Sequence, residues 1–251
     1  SAPVMRSDQP IEYGGGFRFF VYKNVKMINC KNLDRALPAS DQLGSAGKTS
    51  TNLTMENCEN INFEAENVAT DVYENVYIKD SKNVGVYFWE VKAQFSGDLI
   101  IDNSTNVKLV AYGDNSANLR YVSFSNTVFT GVNIKTNYND ATLVMDNVTV
   151  KNGAWNVFDG FKNVHCGALM SYFTDDATGI YPNYGYAFRG TNLKNVSIGS
   201  FSAIGKNGGY QLAFLDNNPL VLKQITIGSL TGEDLFSINN PQNIPIKSNS
   251  K

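Results

Sequence analysis

Glu66, Trp89 and Tyr112 stand at one position of a repeating pattern, each the fourteenth residue after an Asn or Asp at 52, 75 and 98. Glu64 and Tyr87 lie two positions earlier, Glu90 directly follows Trp89, and Asp114 lies two residues past Tyr112. Rings and carboxylates in this mixture suit sugar chemistry. An aromatic face covers the apolar side of a sugar ring at small entropic cost, and paired carboxylates act as acid and base, or as acid and nucleophile, across a glycosidic bond. On stacked strands Glu66 and Glu90 would differ by about 5 Å in height, and Glu66 and Asp114 by about 10 Å. The first spacing suits a retaining hydrolase and the second lies near the inverting range. Glu66, Glu90 and Asp114 are therefore the candidate catalytic residues, with Tyr87, Trp89 and Tyr112 as substrate-binding neighbours. Strict alternation turns Glu90 inward, so it joins the set only where the strand ends before it. The plainer reading makes the acids a solvated face and buries the aromatics against a neighbouring subunit.

A second candidate region, 167–190, interrupts the pattern with Tyr172, Phe173, Asp175, Asp176, Tyr181, Tyr184, Tyr186 and Arg189. Long insertions in compact domains are usually functional or disordered, and this one is too aromatic for disorder. It is predicted to wall a groove, with Asp175, Tyr181 and Tyr184 binding substrate, or to pack against a partner chain. Other chemistries find less support. The single histidine, His165, excludes a multi-histidine metal centre and is expected to be a packed or edge residue. Gly14, Gly15 and Gly16 are followed by no lysine and no helix-forming run, so they are not a phosphate loop. Cys30, Cys58 and Cys166 cannot all pair and lack zinc-site spacing. Cys30 and Cys58 recur at one repeat position and are predicted to stack as small core residues. No metal or other cofactor is expected.

The elements that would hold these residues are legible as a repeat. Starting points at Asn24-Val25, Asn52-Leu53, Asn75-Val76, Asp98-Leu99 and Asn118-Leu119 step by 28, 23, 23 and 20 residues. Eight residues later they bring Asn32, Asn60, Asn83, Asn106 and Asn126 into one column, with Asn29, Asn57, Asp80, Asn103 and Ser123 between. Val25, Leu53, Val76, Leu99 and Leu119 fill one apolar column, and Met27, Met55, Ile78, Ile101 and Tyr121 a second. That is a period-two strand, a polar corner and another strand. Thr142–Val150 supplies a further rung, and Leu193–Ser200 matches Leu222–Ser229. One coil cannot bury its own apolar face, so like residues must stack on like. Asparagines are predicted to form vertical ladders in which buried turn amides bond to one another. They are read as structural, and none is assigned to a site.

The predicted fold is all-β, a single-domain right-handed parallel β-helix, with rungs over about 17–236 and caps or tails at 1–16 and 237–251. Twenty-one basic and twenty-three acidic residues give a net charge of −2, which offers nucleic acid or anionic membrane no attractive field. No apolar run is long enough for membrane insertion. The first ten residues lack a signal-peptide pattern, so the chain is read as mature or as a piece of something longer.

The rungs Asn-Leu-Thr-Met-Glu-Asn-Cys-Glu-Asn-Ile at 52–61 and Asn-Val-Tyr-Ile-Lys-Asp-Ser-Lys-Asn-Val at 75–84 resemble the right-handed parallel β-helix proteins of the pectate-lyase-like superfamily. Within it they are most similar to bacteriophage tailspike depolymerase domains. The resemblance is architectural, covers most of the chain and brings no catalytic motif. It implies an elongated groove that binds a surface polysaccharide, an extracellular or virion-surface location, and a homotrimer. Asp175 and Asp176 with Arg189 imitate a lyase's acidic calcium ligands and base, although adjacent aspartates are common in turns. Three functions stay open: a glycoside hydrolase or, second to it, a polysaccharide lyase; a receptor-binding or adhesin module without catalysis; and a structural stalk.

Overall fold

The computed structural model describes residues 4–6, 23–33, 49–65, 72–88, 94–111, 118–151, 156–172, 188–191, 193–204, 212–215, 224–227, 230–232, 238–239 and 246–248. Among them there is no helix, and every strand pairing is parallel. The chain is a parallel β-solenoid. One face stacks Lys23–Ile28, Thr49–Glu56, Val72–Lys79, Gln94–Asp102, Asn118–Ser125 and Thr142–Asp146 in sequence order. A second stacks Lys31–Leu33, Glu59–Ala65, Lys82–Phe88, Thr105–Ala111 and Val128–Lys135. At Val128–Lys135 the surface divides. Its first residues pair with Val148–Lys151 and its last with Asn156–Asp159, which opens a third face. The stack takes in Val4–Arg6 and Ile246–Ser248, which fall in stretches expected to be caps or tails.

Apolar columns run through the interior as single-residue stacks. Val25, Leu53, Val76, Leu99, Val122, Leu143, Val164 and Val196 form one, and Met27, Met55, Ile78, Ile101, Phe124, Met145, Cys166 and Ile198 another; all are buried. Burying each such side chain contributes roughly 1.5–3 kcal/mol, which only a neighbouring rung makes possible.

Corners explain the asparagines. Asn24, Asn29, Asn32, Asn52, Asn57, Asn60, Asn75, Asp80, Asn83, Asn103, Asn106, Asn126 and Asn147 all have φ between 45° and 59°. An L-residue pays for that left-handed conformation, and Asn and Asp tolerate it best after glycine. Having accepted the bend, the amides link vertically. Asn60 Nδ2 donates to Asn32 Oδ1 at 2.8 Å, Asn83 to Asn60 at 2.8 Å and Asn106 to Asn83 at 2.9 Å. A second ladder joins Asn52 to Asn24 and Asn75 to Asn52, and a third joins Asn57 to Asn29 and Asn103 to Asp80. The ladders run along half-exposed and exposed corners, not in the buried positions expected of them. A left-handed residue bulges its side chain outward while the next residue turns in. That next position is the buried one: Cys30, Cys58, Ser81, Ser104, Thr127 and Val148 follow one another up the inside of one corner.

The fifth rung departs from the predicted register. Val122, not Leu119, stacks on Leu99, and Phe124 takes the inner position expected of Tyr121, which pairs with Asp98 and is half-exposed. Asn126 closes the corner above Asn103, where Ser123 was expected, and donates its main-chain N–H to Asp146 at 2.9 Å. It therefore leaves the Asn32 to Asn106 ladder. Two extra residues cause the slip. Gly97 and Asp98 together face Asn75, and Arg120 is inserted between Leu119 and Tyr121. The Asn118-Leu119 pair imitates a rung start three residues too early; the spacing from Leu99 to Val122 is again 23 residues, the step seen between Asp102 and Ser125.

Candidate functional site

The strands that were expected to present the acids and rings do align. Glu64 pairs with Tyr87 and Tyr87 with Val110, while Ala65, Phe88 and Ala111 pair in turn and end their strands. Of the sequence-predicted site residues, Tyr87 alone lies in a described strand. Glu66, Trp89, Glu90, Tyr112, Asp114, Asp175, Tyr181 and Tyr184 lie outside the described residues, as does Asp176. Arg189 lies in the Phe188–Thr191 strand, paired with Val157 and Ala213.

Two residues before Tyr87 the same sheet carries a feature that the sequence reading missed. A shallow open depression of about 470 Å³ is lined by Asn32, Leu33, Asn60, Ile61, Asn62, Asn83 and Gly85. The amide ladder is one wall. Gly85 pairs with Asn62 on one side and Lys108 on the other, so a position without a side chain falls between two that have one. The signal available in the sequence was this glycine, in the column that Asn62 and Lys108 otherwise fill.

The chemistry of the depression is that of neutral polar groups. Each ladder bond uses one amide N–H and one oxygen lone pair, and a primary amide carries two donors and two lone pairs. Glu59 stands between two lysines beside the ladder, with Lys31 Nζ at 3.2 Å and Lys82 Nζ at 3.9 Å. Exposed pairs of this kind add about 0–1 kcal/mol each and serve more to order the rim than to hold the fold. Among the described residues, none of those lining the depression is a carboxylate.

The cysteines behave as the repeat predicted. Cys30 and Cys58 are buried, form no disulfide and are adjacent in the inner corner column. Burial pushes the Cys58 thiol up to about 11 and Cys166 up to about 12. Thiols so far above neutral pH are protonated and poor nucleophiles. His165 is neither packed nor at an edge: it is exposed on the first face between Val144 and Ser197, because Val164 and Cys166 on either side turn inward. Among the described residues, no three His, Cys, Asp or Glu side chains come together as a metal site, and no helix is long and apolar enough to cross a membrane.

Comparison with known proteins leaves the fold as the firm ground: no family model, no curated protein and no solved structure matches the chain.

Proposed function

We propose that this β-solenoid recognises a polysaccharide, and that an extended glycan lies along the face carrying Asn32, Asn60, Asn62, Asn83 and Gly85. The observation that carries the reading is the open amide-walled depression of about 470 Å³ on that face. Repeating donors and acceptors at inter-strand spacing suit a ligand whose hydroxyls also repeat. Gly85 contributes no side chain to the lining of the depression, which lets a ring approach the sheet closely. Binding without catalysis is the first reading because the described residues that line the depression offer amides, apolar side chains and a glycine.

Hydrolysis is the second reading. The register of Ala65, Phe88 and Ala111 supports it, since Glu66, Trp89 and Tyr112 are the next residues along each segment. Incubating the purified chain with a panel of capsule and O-antigen polysaccharides tests both. Retention of a glycan by the native chain and its loss in Gly85→Gln supports the groove. New reducing ends identify a hydrolase and unsaturated products a lyase. Retention of no glycan in the panel, with no products, overturns both readings.

A further inference from the structure

The solenoid breaks its own regularity on the first face at two successive rungs. The Gln94–Asp102 strand sets Gly97 and Asp98 against Asn75, and the next strand inserts Arg120 between Leu119 and Tyr121. Each bulge disrupts a ladder, and bulges commonly re-aim a side chain near a functional site. Here they bring Arg120 Nη2 to Asp98 Oδ1 at 2.9 Å, with the arginine side chain 60% and the aspartate 26% exposed. A surface pair contributes about 0–1 kcal/mol, so stability alone is a weak reason for two irregularities.

Three tyrosines surround the pair. Tyr121 is Asp98's partner on the next strand, and Tyr77 pairs with Ile100, two residues past Asp98. Tyr138 is 41% exposed on the turn after Val128–Lys135. The buried Thr136 anchors that turn: its hydroxyl donates to the Leu119 carbonyl at 2.9 Å and accepts the Tyr138 N–H at 3.2 Å. Tyr77, Asp98, Arg120 and Tyr138 share one electrostatic environment. Burial and then Asp98 hold the Tyr77 phenol above its usual range, with Arg120 opposing. The Asp98 hydrogen bond and charge raise Arg120, to which Tyr138 and Glu74 add.

We propose that Tyr77, Asp98, Arg120, Tyr121 and Tyr138 form a second carbohydrate site, separate from the amide groove, that takes an uncharged sugar. Tyrosine rings supply flat apolar faces. The guanidinium carries five N–H donors for hydroxyls, and the carboxylate accepts from them. Asp98 offsets Arg120 and Glu74 lies nearby, so among the described residues the site has no surplus positive charge with which to attract an acidic sugar.

The test is amide NMR of the full chain titrated with maltohexaose, cellohexaose and a galactan hexasaccharide, against an oligogalacturonate as the charged counterpart. At about 10 mM a site of millimolar affinity is largely filled. At least one neutral hexasaccharide is expected to shift the Gly97, Asp98 and Tyr121 amides and the Arg120 side-chain N–H, with the oligogalacturonate leaving them in place. Arg120→Ala and Tyr138→Ala, each verified as folded by its spectrum, should weaken this binding at least tenfold, and Gly85→Gln should not. The proposal is overturned if no neutral hexasaccharide moves these signals, if both variants bind as before, or if the oligogalacturonate binds as tightly. Binding lost in Gly85→Gln but kept in Arg120→Ala and Tyr138→Ala assigns the sugar to the groove and also overturns this site.

Discussion

The main-chain N–H of Asp98 donates to the Asn75 side-chain oxygen at 3.0 Å, ending the amide ladder that rises from Asn24 through Asn52. Gly97 makes this termination possible. Its φ is +71°, and a Cβ added there would collide with Asn75 Oδ1. Gly97→Ala therefore adds left-handed strain, about 1–2 kcal/mol, to a clash that has to displace the ladder amide. A loss of about 2–4 kcal/mol in urea unfolding is expected. Gly131→Ala is the control: its nearest neighbour would be Lys108 Cγ at 3.9 Å, and it should be neutral or stabilising by about 0.5 kcal/mol.

Asn83 links two rungs, donating to Asn60 at 2.8 Å and accepting from Asn106 at 2.9 Å, at a φ of 54°. Alanine there loses both bonds and keeps the unfavourable backbone, for an expected cost of about 2–3 kcal/mol. Glycine loses the bonds but fits the backbone, so Asn83→Gly should cost about 1 kcal/mol less than Asn83→Ala. Equal losses in the two variants would show that backbone conformation is not what selects asparagine at this corner.

The Cys58 thiol sits where Ser81 and Ser104 sit in the rungs above, and its Sγ donates to the Glu56 carbonyl at 3.4 Å as the Ser81 hydroxyl donates to Lys79 at 2.8 Å. Cys58→Ser should consequently fold with a change of no more than about 1.5 kcal/mol. The pH dependence has a definite sign. With the folded-state Cys58 raised to about 11 from 9.0, its contribution is fully present below pH 9 and is lost as pH climbs through 11. Thermal melts across pH 8 to 11 should fall on the alkaline side, less steeply in Cys58→Ser. An identical slope in the two proteins would remove Cys58 as a cause.

How far the residues announced this architecture differs between rungs. The Asn24 to Asp98 rungs repeat their apolar and corner residues at constant offsets, because stacking like on like demands it, and their register was readable through Asn106. Reading failed at Asn118-Leu119, where Gly97 and Arg120 add residues that leave the inner columns intact while shifting every offset between them. A bulge has no strong residue signature beyond its glycine. The depression at Gly85 is less legible for a related reason: its lining includes a position without a side chain, paired with Asn62 and Lys108, and glycine carries no chemically active group. The Asp98, Arg120 and Tyr138 cluster joins residues from two successive rungs through those same bulges, so constant offsets do not bring it together.

The last prediction separates a glycan binder from a hydrolase. Gly85→Gln places a side chain in the lining of the depression and should abolish retention of any glycan that lies along this face, with little effect on the fold, since Gly85 is half-exposed between buried Val84 and Val86. Trp89→Ala should weaken the same binding by about 1–3 kcal/mol if the ring stacks on sugar, a figure set by burying a large apolar side chain. The carboxylates then decide chemistry. A hydrolase that uses Glu66 or Glu90 loses turnover in the corresponding glutamine variant while keeping affinity, because neutralising an acid or nucleophile removes transition-state stabilisation more than ground-state binding. Reducing-end assays read the first quantity and equilibrium binding the second. Intact binding with no turnover in the native chain assigns the face to recognition alone. Binding that survives both Gly85→Gln and Trp89→Ala, with activity unchanged in Glu66→Gln and Glu90→Gln, moves the glycan off this face altogether.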